Sequence, residues 1–311
     1  MKTLIADLGA TNARLAITED CVSLLSKASY KMNEFNSLNH LLKHYIEENN
    51  ISNFEISGII GVAAPVISNE VNFVNNNFSF SVAEIESSFF QKGLKVLNDV
   101  EMQIYALNNY SEDKLIKIGN EIDFSSGSKI LVVPGTGLGL AILISGKSMA
   151  TEAGHTSVPV YNNEIIELLD DFKRKNGRTA TFEDLISGKG ISYIYGVISK
   201  NFNHTLSNYE IIKNANNDNN CSNTKKTILD ILAIFLRFSA LTIGSKGGVY
   251  LSGSLAASLF EDIDFDDFRE NFEKSETMDE FLKGIPLYLI KEDNLGFLGA
   301  LEVCRNAKNK S

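Results

Sequence analysis

Residues 3–18, TLIADLGATNARLAIT, hold two apolar runs, 3–8 and 14–18, around a polar, glycine-containing turn at 9–13. Short apolar runs bounded by turn residues read as strands. The chain therefore opens with a β-hairpin whose first strand ends on a carboxylate, Asp7. The pattern returns at 130–144, ILVVPGTGLGLAILI, where the runs 130–133 and 138–144 flank Pro134–Gly137. The echo predicts a duplicated lobe.

Between and beyond the hairpins, helix and strand periodicities alternate. Leu38, Leu41, Leu42, Tyr45 and Ile46 recur at helical spacing within 34–48, and 55–64 and 94–98 are β-type runs. Residues 100–107 continue in helical pattern, so Asn98 and Asp99 sit at the carboxyl end of a strand, where open α/β sheets place ligands. Helices are expected at 163–175, 181–187 and 226–243, and strands at 248–251 and 286–290. The Asn-dominated stretch 214–223 has too few apolar residues to bury much surface and reads as a loop.

At 311 residues the chain exceeds what one core usually supports, about 250 to 300. Two α/β lobes with a cleft follow, divided as 1–108 plus 296–311 (smaller) and 109–295 (larger), with a soft boundary near 108–128. A net charge of −10 argues against a nucleic-acid or anionic-membrane surface, because such binding relies on clustered Lys and Arg. Asp7 interrupts any apolar leader at the N-terminus, and no apolar run reaches the roughly 18 residues that span a bilayer. Cys21, Cys221 and Cys304 show no CxxC or Cys/His spacing, so neither a disulfide framework nor a zinc site is indicated, and a reducing cytoplasm is the simplest setting.

Five segments carry chemistry. Asp7, Gly9, Ala10, Thr11 and Asn12 form a turn whose backbone N–H groups suit an anion, with Asp7 able to hold Mg²⁺ through water. Gly135, Thr136, Gly137 and Gly139 form a second such turn, without the Lys-Ser/Thr ending of a Walker loop. Asn98-Asp99 offers a carboxylate to take a hydroxyl proton beside a neutral hydrogen-bonding partner. Glu152 and His155, with Glu183 further on, suit a polyhydroxylated ligand better than a phosphate, which favours Arg or Lys. Gly253-Ser254 ends a glycine-flanked strand where a flat ring could approach backbone. Each segment alone also has a plainer reading: a capped hairpin turn, a glycine hairpin, an Asp N-cap, a surface Glu/His pair beside a first-turn Glu183, and a tight strand-to-helix turn.

Taken in order, these segments resemble the sugar-kinase, Hsp70 and actin superfamily, and within it the bacterial glucokinase family. The likeness is carried by DLGATNARLA (7–16), VAAPV (62–66), NNNFSFSVAEI (75–85), LNDVEMQIYAL (97–107), PGTGLGLAIL (134–143), TEAGH (151–155), FEDLISGKGISYIY (182–195), GGVYLSGSLA (247–256) and IPLYLIKEDNLGFLGA (285–300). It spans nearly the whole chain. Kinases and repressors of the ROK type would bring a clustered Cys/His zinc motif, which is missing from this sequence.

The resemblance implies a two-lobed ribonuclease-H-like (actin-like ATPase) α/β fold with a central cleft, ATP and Mg²⁺ as cofactors, and commonly a homodimer. It implies that Asn98, Asp99, Glu152, His155 and Glu183 contact a hexose such as glucose, with Asp99 as base. It assigns Thr11, Asn12 and Gly135–Gly139 to phosphates, the Gly253 turn to adenosine, and Asp7 to the neighbourhood of Mg²⁺. Ala10, Ala153 and Ser254 depart from the family pattern by replacing glycines. A left-handed backbone at position 10 would cost a non-glycine residue roughly 1–2 kcal/mol. Two rivals stay open: a kinase for another hexose, and a non-catalytic sugar or nucleotide sensor.

Overall fold

The computed structural model describes residues 2–9, 11–51, 56–73, 78–119 and 126–309. The chain divides into two compact units, Met1–Tyr110 with Gly146–Ala150 and Asn294–Ser311, and Ser111–Ser145 with Thr151–Asp293. The first begins with β1 (Lys2–Leu8), β2 (Asn12–Thr18), β3 (Leu25–Lys31), α1 (Leu38–Glu48), β4 (Ile56–Val62), β5 (Glu70–Asn72), β6 (Ser79–Ser81), α2 (Val82–Phe89), β7 (Leu94–Asn98) and α3 (Asp99–Ile104). The chain continues through β8 (Leu115–Lys117), β9 (Lys129–Pro134), β10 (Leu138–Ile144), β11 (Lys147–Thr151), α4 (Asn163–Asn176), α5 (Phe182–Leu185) and α6 (Gly188–Ser199). Then come α7 (Asn208–Lys213), α8 (Asn219–Ile243), β12 (Val249–Ser252), α9 (Ser254–Leu259), α10 (Phe265–Glu273), α11 (Asp279–Lys283), β13 (Leu287–Ile290) and α12 (Leu295–Lys308).

Both expected hairpins form. In the first unit the sheet runs β3-β2-β1-β4-β7, with β1 antiparallel to β2 and parallel to β4. In the second, β10-β9-β12-β13 repeats that arrangement, since β9 is antiparallel to β10 and parallel to β12. The duplication read from the sequence is thus a duplication of strand order.

Period-two alternation decides what each strand face buries. Leu4, Ala6 and Leu8 join a core with Leu38, Leu41 and Tyr45 of α1 and Ile85 of α2. Ile5, one residue out of phase, joins Met102 of α3 and Phe297, Ala300 and Leu301 of α12. Gly299 lets α12 lie against α3, for a Cβ there would overlap the Met102 carbonyl oxygen. The second unit has its own core, in which Ile130 and Val132 of β9 pack with Ile228, Ile231, Leu232 and Phe235 of α8.

Three expectations are corrected. Residues 219–223 are not loop: Asp218 caps α8 by accepting from the Cys221 N–H at 2.8 Å, and Cys221, Thr224 and Lys225 are buried. A helix with a good cap and one buried stripe tolerates an Asn-rich first turn. The helix expected at 181–187 is the short α5 followed by α6, the break falling at Ser187, which caps α6. Cys21 and Cys304 form a disulfide with Cα atoms 5.5 Å apart, across a sequence separation of 283. Spacing along the chain could not show this pair, because α12 brings Cys304 back to the first strands. Ala10 and part of the 108–128 boundary lie outside the described residues. No helix among the described residues is long and apolar enough to cross a membrane.

Candidate active site

In the first unit, the β1–β2 turn closes with the Gly9 N–H donating to the Asn12 carbonyl at 2.9 Å, leaving Thr11 and Asn12 exposed. Asp7, next to the last residue of β1, faces α12 and is buried. Its Oδ2 accepts from Arg14 Nη2 at 2.6 Å, and a Cβ on Gly296, in the first turn of α12, would lie 2.7 Å from the same oxygen. Burial pushes the Asp7 carboxyl above its ordinary value, opposed by the charge and hydrogen bond of Arg14.

Asn98 and Asp99 stand where β7 becomes α3. The cap is Asn98, not Asp99: Asn98 Oδ1 accepts from the N–H groups of Val100 at 3.0 Å and Glu101 at 3.2 Å. Asn98 Nδ2 also donates to the Ala64 carbonyl at 3.4 Å. Asp99 occupies the first helical position, its Oδ1 accepting from the Val100 N–H at 2.9 Å. Part of the residue meets solvent, but protein atoms crowd its carboxylate. That crowding, reinforced by the negative charge of Asp7, raises the Asp99 pKa to about 7 despite backbone N–H groups that favour the ionised form. Near neutral pH such a carboxylate exchanges a proton readily.

In the second unit, the Gly135 N–H donates to Gly137 O at 2.8 Å, and the Gly188 N–H donates to Gly135 O at 3.0 Å. Thr136, at the tip, is exposed, and Gly139 lies in β10 opposite Val133. A Cβ at 137 would lie 2.6 Å from Glu183 Oε2 and force that side chain to move, whereas position 135 faces open space. Gly253 has φ +98° and caps α9; a Cβ there would lie 3.2 Å from the Pro134 carbonyl oxygen.

Glu152, His155 and Glu183 come together through backbone. The Val158 N–H donates to Ala180 O at 3.1 Å and the Phe182 N–H to Thr156 O at 3.0 Å, which ties the segment after His155 to the start of α5. Glu183 lies in the first turn of α5, held by a Thr181/Asp184 capping box and by Arg178, which grips Asp184 at 2.6 and 2.8 Å. His155 Nε2 is 3.7 Å from Glu152 Oε2 and 4.0 Å from Glu183 Oε1. Two carboxylates and an imidazole, Glu152 and His155 exposed and Glu183 half-buried, suit a neutral ligand rich in hydroxyl groups.

Two family departures are harmless to the backbone, since neither Ala153 nor Ser254 has positive φ. The Ala153 methyl packs against the core. Sequence reading left Arg14 and Gly296 without a role. Arg14 was discoverable, because it stands opposite Asp7 in the hairpin register; the approach of Gly296 depends on how α12 docks. No group of three or more His, Cys, Asp or Glu side chains among the described residues could enclose a metal. Asp7, a desolvated carboxylate with one oxygen turned to Arg14, suits Mg²⁺ held through water and phosphate oxygens instead of a protein cage.

A family model described as Glucokinase matches residues 4–307. The glucokinase of Colwellia psychrerythraea is 28% identical over 311 residues, covering 96% of this chain and 94% of that protein. The crystal structure of a glucokinase from an Antarctic psychrotroph superposes with a TM-score of 0.83 at 24% identity, covering 98% of this chain and 99% of that one. That of Balamuthia mandrillaris glucokinase in complex with glucose gives a TM-score of 0.82 at 20% identity, covering 98% and 93%. At these identities the two structures establish the fold, which is the actin-like two-unit α/β architecture.

Proposed function

Since the chain belongs to the glucokinase family, we propose that it transfers the γ-phosphoryl group of ATP to the 6-hydroxyl of glucose, with Asp99 as general base. The observation that carries this reading is the crowded Asp99 carboxylate at the end of β7, with a pKa of about 7. As the sugar oxygen bonds to phosphorus and the bond to the ADP oxygen breaks, Asp99 accepts the hydroxyl proton and becomes a neutral acid. Such assistance contributes about 10²- to 10⁴-fold, the remainder coming from positioning and charge stabilisation.

Asn98, Glu152, His155 and Glu183 bind the hexose. The carboxylates accept from its hydroxyls, and His155 donates or accepts according to its tautomer. Thr11, Asn12 and the Gly135–Gly139 turn, whose Gly135 and Leu138 N–H groups are spent on holding its shape, take the phosphates, and the Gly253–Ser254 turn takes adenosine. Asp7 would hold Mg²⁺ through water, and the ion would supply positive charge to the phosphate oxygens.

A cytoplasmic setting and a homodimer belong to the same proposal and rest on the resemblance. The Cys21–Cys304 disulfide weighs against a reducing compartment. The sensor reading loses ground because Ala153 and Ser254 need no left-handed backbone. The test is ADP production with Mg·ATP and a panel of hexoses, with Asp99→Asn as control. Turnover with glucose that is lost in the variant supports the reading. Preference for another hexose moves the substrate, and sugar binding without turnover by the wild-type chain returns the sensor.

A further inference from the structure

Glu183 divides its two carboxylate oxygens between different tasks. Oε1 is the oxygen nearer His155, at 4.0 Å. Oε2 turns the other way and accepts from the backbone N–H of Leu138 at 2.9 Å, where the glycine turn enters β10. The fit there is close, since any side chain at Gly137 would strike Oε2. Opposite Leu138 in register stands Pro134, which has no N–H to contribute to the hairpin. The turn is held again from the same segment by the Gly188 N–H on Gly135 O, at 3.0 Å. Gly154 packs so closely on the Leu138 carbonyl that a Cβ would overlap it. One residue assigned to the hexose, Glu183, therefore belongs to the frame of the turn assigned to the phosphates.

We propose that Glu183 is a positioning residue for the nucleotide as well as a hexose contact: through Oε2 and the Leu138 N–H it sets the shape of the Gly135–Gly139 turn. This deepens the kinase reading and rests on it. A carboxylate that accepts a backbone N–H makes a charge-assisted bond. Losing it leaves the Leu138 N–H unsatisfied and the turn free to adopt shapes that do not fit phosphate. Because both oxygens belong to one rigid group, a hexose hydroxyl drawn to Oε1 also fixes the orientation of Oε2.

The test is calorimetric titration of Mg·ADP into the full chain with no sugar present, so that a role confined to hexose binding has no effect. Glu183→Ala is expected to weaken Mg·ADP about tenfold. Glu183→Asp retains the charge but falls short of Leu138, and should weaken it similarly; this milder change carries the test if the alanine variant does not fold. Glu183→Gln keeps an acceptor oxygen and should stay within about threefold of wild type. Gly137→Ala should also weaken Mg·ADP, yet cost nothing further when added to Glu183→Ala, because the oxygen it strikes is gone. Unchanged or tighter Mg·ADP binding in the alanine and aspartate variants, or a glutamine variant as weak as alanine, overturns the inference. Failure of the wild-type chain to bind Mg·ADP would instead sink the kinase reading, and this inference with it.

Discussion

Arg14 reaches across the β1–β2 hairpin to Asp7, the residue directly opposite in register, with Nη2 2.6 Å from Oδ2. The pair explains how a strand end can carry a buried carboxylate: an adjacent guanidinium offsets part of the desolvation cost. Asp7 in turn contributes to the field that raises the Asp99 pKa, so the hairpin and the β7–α3 junction act on one proton equilibrium.

The pH dependence of kcat/KM for glucose should show an acidic limb near pH 7, rising as Asp99 loses its proton. Asp99→Asn should lower kcat by about 10²-fold or more while glucose still binds. Steady-state kinetics across about pH 5.5–8.5, a span that brackets that limb, check both. A flat profile through pH 7, or near-normal turnover in the variant, removes Asp99 from the base role.

The same raised pKa has a consequence for stability. In the unfolded chain Asp99 titrates near its ordinary value of 3.8, and in the folded chain near 7. Between these values the folded state holds the extra proton, so stability from this residue is greatest at low pH and is lost as pH rises through 7. Asp99→Asn should therefore raise the melting temperature most at about pH 8, less at about pH 5, and little below about pH 3.5. A thermal shift of the same size at all of these pH values would refute the buried-charge account.

Gly296→Ala should destabilise the chain by about 1–3 kcal/mol, the usual cost of overpacking. Its Cβ would lie 2.7 Å from Asp7 Oδ2 and 3.0 Å from Cγ, so either α12 or the Asp7–Arg14 pair must shift. Urea denaturation measures this. An unchanged midpoint would mean that Asp7 can turn aside freely.

Under denaturing, non-reducing conditions, alkylation should find one thiol per chain, Cys221, with Cys21 and Cys304 joined. Cys304→Ser should lower stability by about 2–4 kcal/mol without reductant, and by much less with it. Alkylation of all three cysteines would show that the pair is reduced.

His155→Ala and Glu152→Ala should raise KM for glucose about tenfold each, leaving KM for ATP close to wild type. Both side chains are more than half exposed and hold no structural bond to the glycine turn, unlike Glu183. A parallel rise in both constants would argue that the 152–155 segment supports the nucleotide too.

Local pattern along the chain makes much of the molecule legible. The two hairpins follow from apolar runs around glycine turns, and α1 from Leu38, Leu41, Leu42, Tyr45 and Ile46 on one helical face. The candidate residues are visible as motifs, but the division of labour within them is not. Asn98 takes the capping role that a strand-end Asp could have filled, which leaves the Asp99 carboxylate in the first turn as an acid or base. The start of α8 escapes a reading by composition, because a single cap at Asp218 outweighs the Asn-rich first turn.

By itself the sequence determined the repeated hairpin-and-strand order, the positions of the glycine turns and the family, because strand periodicity, turn chemistry and motif order are local properties of the chain. The tertiary structure alone decided the Asp99 pKa, the hold of Glu183 on the Leu138 N–H, the approach of Gly296 to Asp7 and the union of Cys21 with Cys304. Each of these depends on burial or on a partner brought from a distant part of the chain. Desolvation and contact are set by packing, which no local spacing encodes.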